Sequence, residues 1–387
     1  MDGTGSAGAG NLPLRMAMIG GGTGAFIGPV HRRAAALDGN IILVAGAFSR
    51  DPERNRQTGM ALGLSTDRIY ADFRQLIEAE ARLPADERVQ FIAIVTPNHL
   101  HAPIACLALH HGFAVLCEKP LALNIEEAEA IAASVAASGR LFAISYTYLG
   151  YPLVREARAL VENGAIGDVV RVSVSYTQGW LTDHVESTGN RQAEWRTDPA
   201  KSGLGGAIGD IGVHAQNLAE YVSGTRIASV NADIRAARSG RLLDDDGAVL
   251  LRFANGARGT LIASQVCPGD ENRLTLRIHG AKGAIHWEQE QPNILWVHED
   301  NGAARRITAN ADLLTDPAAR AMTRLPGGHP EGYIEAFANI YGAFARHLRG
   351  ACDSDLPTVA DGIHSLAFIE AVHASSQADG RWQTLSA

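Results

Sequence analysis

Through the first 145 positions the apolar residues fall into short unbroken runs, separated by polar stretches that carry helix caps. Runs at 16–19, 41–48, 89–95, 113–117 and 141–145 are too short for core helices and do not alternate, which predicts strands buried on both faces. Between them the pattern turns helical. A helix is expected over 30–37. Asp51-Pro52 supplies an N-cap and a first-turn proline for a helix through Leu62. Asp72 can cap a helix that ends before Pro84, and another helix follows Asn98 and stops at Gly112. Asn124 with Glu127 three residues later reads as a capping box for a helix ending near Gly139. Strand and helix alternate throughout, which predicts a parallel, doubly wound α/β sheet.

The second half reads differently. Residues 169–176 alternate as a strand, and 248–253 with 259–264 flank Asn255-Gly256, a hairpin signal. Residues 273–279 and 284–287 surround Ala281-Lys282-Gly283. Strands following one another without helices imply a second layer architecture. The boundary falls between Ser145 and Pro152. The expected organisation is a flexible Gly-rich tail over 1–13, a first domain over 14–148 and a second over 149–387. Helices at 331–349 and 359–376 have mixed surfaces suited to covering sheets.

Composition narrows the class. At 387 residues two domains are expected, and 46% hydrophobic with 20% charged residues is ordinary for a soluble globular chain. The net charge of −8 argues against nucleic acid or an anionic membrane as partner. Cys106, Cys117, Cys267 and Cys352 have no CxxC spacing, which fits a reducing compartment. Residues 1–11 lack a basic segment followed by an apolar one, so no signal peptide is expected. The stretch 89–117 is free of Lys, Arg, Asp and Glu, but Thr96, Pro97, Asn98, His99, His101 and Pro103 interrupt it as they would not a spanning helix. The expectation is a soluble, cytoplasmic protein.

Candidate chemistry begins at the first strand. Residues 16–19 lead into a glycine loop, where Gly20, Gly22 and Ala25 satisfy G-x-G-x-x-G/A and Gly28 offers a second register. Strand, glycine turn and helix let backbone N–H groups approach a pyrophosphate. The tip of the second strand should read the adenosine ribose. It carries Ser49-Arg50-Asp51, with Arg54 behind. Asp51 reads better as a helix cap than as a ribose ligand, so NAD and NADP both stay open. Lys119 follows the apolar strand 113–117, at the carboxyl edge where open α/β sheets bind ligands. Glu118 beside it can hold the ammonium, and Pro120 fixes the chain as it leaves.

Thr96-Pro97-Asn98-His99-Leu100-His101, Glu118-Lys119-Pro120 and the distant Gly205-Gly206-Ala207-Ile208-Gly209-Asp210-Ile211-Gly212-Val213-His214, taken with the glycine loop, resemble the Gfo/Idh/MocA oxidoreductases. Trp195-Arg196 and His329-Pro330-Glu331-Gly332-Tyr333 resemble the inositol and sugar dehydrogenase branch. In the glycine loop, Gly28-Pro29-Val30-His31 matches the family's usual last glycine and histidine, with extra residues inserted before them. The resemblance implies an N-terminal Rossmann domain and a C-terminal α/β domain on a large, mostly antiparallel open sheet. It also implies a dimer or tetramer formed by sheets pairing between subunits. Implied cofactor contacts are Gly20, Gly22, Thr23, Gly24, Ala25, Phe26 and Ile27 in the loop, Ser49, Arg50 and Arg54 at the second strand, Thr96, Pro97, Asn98 and His101 after the third, and Glu118 and Lys119.

Asp210 and His214 are four apart and share one face of a helix expected over 206–221, stopping near Gly224. In isolation they read as a cap and a core histidine. Beside Lys119 and a nucleotide fold they read as catalytic. Alcohol oxidation needs a proton acceptor and a donor that stabilises the alkoxide. By the resemblance His214 is the base, Lys119 the polarising donor and Asp210 the substrate anchor. The nicotinamide accepts the hydride, so no metal is required. His99/His101 and His110/His111 lack nearby acidic or cysteine partners, against a zinc site. Tyr148, Gln178, Trp195 and Arg196 are the expected polyol contacts, with His329 a further one. Asp244-Asp245-Asp246 reads as a solvated turn. The expected activity is oxidation of a ring hydroxyl of an inositol or sugar. NAD-dependent glycoside hydrolysis and non-catalytic NAD(P)H sensing are the alternatives.

Overall fold

A computed structural model of the protein describes residues 12–351 and 356–385. Residues 1–11 of the expected tail and Cys352 lie outside the described residues. Cys106, Cys117 and Cys267 are free thiols.

The first sheet contains β1 (Leu14–Gly20), β2 (Ile41–Ala47), β3 (Phe91–Val95), β4 (Ala114–Cys117) and β5 (Phe142–Ile144). All neighbours are parallel, in the order β2-β1-β3-β4-β5. Every residue of β3 and β4 is buried, as strands covered by helices on both faces must be. The expected caps are in place. Asp51 accepts from the Arg54 amide, Asp72 from Arg74 and Gln75, and Asn124 from Glu127. Glu127, however, reaches back to the Leu123 amide rather than to that of Asn124. Strand order reverses at β1, so the carboxyl ends of β1, β3 and β4 line one crevice.

The second sheet has nine strands: β6 (Val169–Thr177), β7 (Ile227–Arg235), β8 (Asp246–Phe253), β9 (Arg258–Ser264), β10 (Arg273–Gly280), β11 (Gly283–Glu288), β12 (Ile294–Glu299), β13 (Ala304–Thr308) and β14 (Gln383–Thr384). Their order is β13-β12-β11-β10-β6-β9-β8-β7-β14, antiparallel except for the central β6–β9 pair. β7, β12, β13 and β14 are additions to the sequence reading. β7 is interrupted by Asn231 and Asp233, and edge strand β13 carries Arg305 and Arg306.

Helices Pro152–Glu162 and Val213–Ser223 lie against the inner face of this sheet. The last two long helices return to the first sheet's layers. Tyr333–Leu348 packs on helix Ile27–Leu37, and Val359–Gln377 packs on both β7 and helix Ile125–Ser138. Among the described residues, no helix is long and apolar enough to cross a membrane.

Candidate active site

At the end of β1 the chain turns through Gly20 (φ 88°) and Gly21 (φ 69°), a backbone region that favours glycine. A Cβ on Gly20 would stand 2.7 Å from the Val95 carbonyl oxygen. One on Gly28 would strike the Gly21 backbone. Gly28 is therefore the glycine that lets helix Ile27–Leu37 close against the strand end. Its N-cap, Phe26, gives no side-chain cap bond, and no acid lies in the first turn. The leading N–H groups are thus open to an anion. Gly24 (φ 87°) leaves open space where a side chain would stand. This cradle fits a dinucleotide pyrophosphate.

At the β2 tip, Asn55 Oδ1 holds the Phe48 and Ser49 amides, and Asp51 is committed to its cap. Arg50 is exposed. After β3, Asn98 donates to the Ser202 carbonyl at 2.8 Å. The buried His101 ring sits between the carbonyls of Pro120 (2.8 Å) and Thr96 (3.0 Å). His101 ties two loops together and presents no free ring nitrogen to a cofactor.

β4 delivers Glu118 and Lys119 to opposite sides, as successive residues of an extended chain must point. Lys119 Nζ reaches the Asp210 carbonyl (2.6 Å) and Asp210 Oδ1 (2.9 Å). Glu118 does not hold the ammonium, contrary to expectation. It turns inward, where Oε1 meets His31 Nε2 at 2.8 Å and accepts from Ser145 Oγ at 2.5 Å. Burial alone would raise its pKa, but His31, Lys119 and Ser145 hold it down at about 2. The Lys119–Pro120 peptide is cis.

Asp210 is the hub. Its Oδ2 accepts from Arg196 Nε (3.1 Å) and Gln265 Nε2 (2.9 Å). Burial disfavours the charge, yet Lys119 and Arg196 together keep the carboxyl well below the usual carboxylate range. The expected single helix is in fact a π turn, Ile208–Gly212, running into α-helix Val213–Ser223. Asp210 sits in that π turn, a distortion frequent at functional sites.

Asp244 and Asp245 are not a solvated turn. Asp244 Oδ1 and Oδ2 accept from the Gly206 (2.7 Å) and Ile208 (2.8 Å) amides, capping the segment that presents Asp210. Asp245 accepts from the Ala237 amide (2.6 Å) and from Arg241 (2.9 Å), and its carbonyl holds the Gln265 amide. A run of acids is buried here because backbone N–H groups and Arg241 meet it.

His214 lies 9% exposed, with Nδ1 enclosed and unpartnered among the described residues. Burial and the Lys119 ammonium depress its pKa well below 6.5, so the ring is neutral at physiological pH. Tyr148 meets it edge-on at 4.8 Å between centroids, with Tyr146 and Tyr176 at 5.8 and 6.2 Å.

The Tyr148 hydroxyl bonds that of Tyr176, which donates to Asn272 Oδ1 at 2.6 Å. Gln178 donates to the same oxygen (2.7 Å) and accepts from Trp180 Nε1 (3.0 Å). Trp195 and Arg196 end a short helix, Arg191–Arg196, and the guanidinium lies 4.2 Å over the Trp195 ring. The structure thus gathers Lys119, Asp210, His214, Tyr148, Gln178 and Arg196. His329 is not gathered: it is exposed, and its Nδ1 lies 3.0 Å from the Pro326 carbonyl.

Gln265, Asn272 and Tyr176 were missed. Gln265 follows the last residue of β9 as Gln178 follows β6, and parallel pairing of Thr177 with Ser264 brings both to one edge. Only knowledge of that pairing would have found them together.

Comparison with known proteins identifies both parts of the chain. Residues 14–146 match the oxidoreductase family with an NAD-binding Rossmann fold, and 154–286 match the GFO/IDH/MocA C-terminal domain. An uncharacterized oxidoreductase, YfiI, of Bacillus subtilis (strain 168) is 32% identical over 96% of both chains. An inositol dehydrogenase homolog from Azotobacter vinelandii complexed with NAD+ is 33% identical, covering 96% of this chain and 97% of that one, with a TM-score of 0.92. A second structure so described holds NADH and myo-inositol (32% identity, the same coverage, TM-score 0.89). Levoglucosan dehydrogenase of Pseudarthrobacter phenanthrenivorans (strain DSM 18606 / JCM 16027 / LMG 23796 / Sphe3) is 30% identical over 73% of this chain and 76% of its own. The chain belongs to the Gfo/Idh/MocA oxidoreductases, enzymes with an NAD-binding Rossmann domain.

Proposed function

We propose that the protein oxidises a ring hydroxyl of an inositol or monosaccharide to a ketone or lactone, with NAD as oxidant. The observation that carries this reading is the Lys119–Asp210 pair, 2.9 Å apart, beside a neutral His214 at the carboxyl edge of the first sheet. When bound, the nicotinamide supplies the hydride acceptor. Of the three N–H donors of Lys119, two go to Asp210, and the third is left for the substrate oxygen, where it stabilises developing alkoxide. His214 takes the hydroxyl proton. An ionised carboxylate has roughly four acceptor positions, and protein donors fill three on Asp210. The remaining one can anchor a neighbouring hydroxyl. Tyr148, Gln178, Trp195 and Arg196 surround the ring.

The protein acts as a cytoplasmic homo-oligomer in this reading, either dimer or tetramer. Leu250, Ile262 and Trp296 are exposed on the outer alternation of strands in the nine-stranded sheet, which supports a covered sheet face. The test of function is a panel of polyols and sugars with NAD and with NADP, followed at the nicotinamide absorbance. Free NADH accumulating with a polyol or sugar is expected. Aglycone release without net NADH would indicate glycoside hydrolysis instead. NADH binding with no turnover across the panel would indicate a sensor.

A further inference from the structure

Glu118 is an alternative partner for the Lys119 ammonium, being its neighbour in the chain and a buried carboxylate. The two leave the strand end on opposite sides, and they stay apart as long as the Glu118 carboxylate is held on its own side of the chain. His31 holds it there. It lies 1% exposed on helix Ile27–Leu37, the helix whose open N-terminus faces the phosphate cradle. Nε2 meets Glu118 Oε1 at 2.8 Å, and Nδ1 meets the Tyr341 hydroxyl at 2.8 Å. Tyr341 is itself 1% exposed on helix Tyr333–Leu348, so the ring is fixed from both ends. Phe337 packs against it at 4.7 Å. Ser145 adds a second bond to the same carboxylate oxygen, and the Lys119 amide lies 3.4 Å from the other.

We propose that His31 is a positioning residue for Lys119: by engaging Glu118 it turns that carboxylate away from the site and leaves the ammonium to Asp210. The inference rests on Lys119 being the polarising donor. It assigns a role to the histidine that follows the glycine loop, and links the cofactor-facing helix to the catalytic strand end. Without His31, Glu118 is a poorly paired buried charge beside a cation, and attraction draws the two together. A misplacement of about 1 Å at a catalytic group costs on the order of 10²-fold in rate.

Three variants test this, each assayed on the full chain at a temperature where it is folded. His31→Ala should lower kcat by roughly 10²-fold, with NADH affinity within about threefold of native, a binding change under 1 kcal/mol. His31→Gln places an amide nitrogen near the Nε2 position and should recover most of the rate. His31→Asn reaches only the Tyr341 side and should not. A crystal structure of His31→Ala should show Lys119 Nζ on Glu118. The ammonium still on Asp210, or equal rates for the Gln and Asn variants, overturns the proposal. Lys119→Met is the control. If it turns over normally, the polarising role of Lys119 fails. If it is dead while His31→Ala is normal, only the positioning role fails.

Discussion

Asp244→Ala tests most directly how the second domain builds the site. The side chain accepts two buried N–H groups, those of Gly206 at 2.7 Å and Ile208 at 2.8 Å, and the residue is only 7% exposed. Leaving one buried donor unsatisfied costs about 1–3 kcal/mol, so two set an upper range of about 2–6. A lost N-cap in more exposed settings costs about 0.5–2 kcal/mol. Water entering the gap relaxes the penalty, which places the expected loss near 3 kcal/mol. For a domain of this size that lowers the melting midpoint by about 6–12 °C. Asp244→Asn keeps one acceptor and should fall roughly halfway. Turnover should drop as well, because the same segment carries Asp210, while NADH affinity holds because the cradle is elsewhere. The assay is a thermal melt beside steady-state kinetics. A solvated turn would predict a change within about 0.5 kcal/mol. A midpoint shift that small for Asp244→Ala would refute the capping role.

His214→Ala should lower kcat by roughly 10²–10⁴-fold with NADH still bound, and near-normal turnover would remove it as base. Stability should fall below about pH 6.5, the pKa of an unfolded-chain histidine. His214 and His101 are buried with pKa values depressed chiefly by burial, so below that pH the unfolded chain binds protons that the folded one does not. Each contributes up to about 1.4 kcal/mol per pH unit, read from melting midpoints between pH 8 and 5. A flat profile would contradict it. A second loss should follow below about pH 4.5, where an unfolded Glu gains a proton while folded Glu118 stays ionised to about 2. NADH and NADPH fluorescence titrations should show NADH binding. A tenfold preference for NADPH, about 1.4 kcal/mol, would instead place a 2′-phosphate on Arg50 or Arg54.

The first sheet was legible because its strands are buried on both faces and its helices carry local caps. Asp51, Asp72 and Asn124 each act within three residues of themselves. Lys119 and Asp210 were legible through family resemblance and strand-end position. What escaped depended on distant partners. Asp244-Asp245-Asp246 looks solvated as a charge run, yet Asp244 and Asp245 are buried because residues 206–208 and Arg241 bring them donors. Glu118 reads locally as a partner for Lys119, whereas His31, 87 positions away, and Ser145 hold its carboxylate inward. Gln265 reaches Asp210 because β6 and β9 pair in parallel, a register that neither strand announces. The π turn at Ile208–Gly212 is likewise invisible to a spacing argument that assumes one regular helix.

The charge arrangement around Asp210 makes its two cations unequal in what their loss would reveal. Lys119 comes from the end of the first sheet, and Asp210 and Arg196 from the second domain, so the pair joins the two halves as well as serving the proposed chemistry. Removing Lys119 leaves Asp210 with Arg196 and Gln265, and the buried carboxylate stays paired. Removing Asp210 leaves two cations facing one another with their shared anion gone, the uncompensated case that costs several kcal/mol when buried. It also removes one of the charges that favour protonation of His214. A Lys119 variant therefore removes the donor with little loss of pairing, though it also relieves His214 of the cation that depresses its pKa. An Asp210 variant mixes lost chemistry with lost stability and a weaker base, and a larger rate loss there would not make aspartate the more catalytic residue.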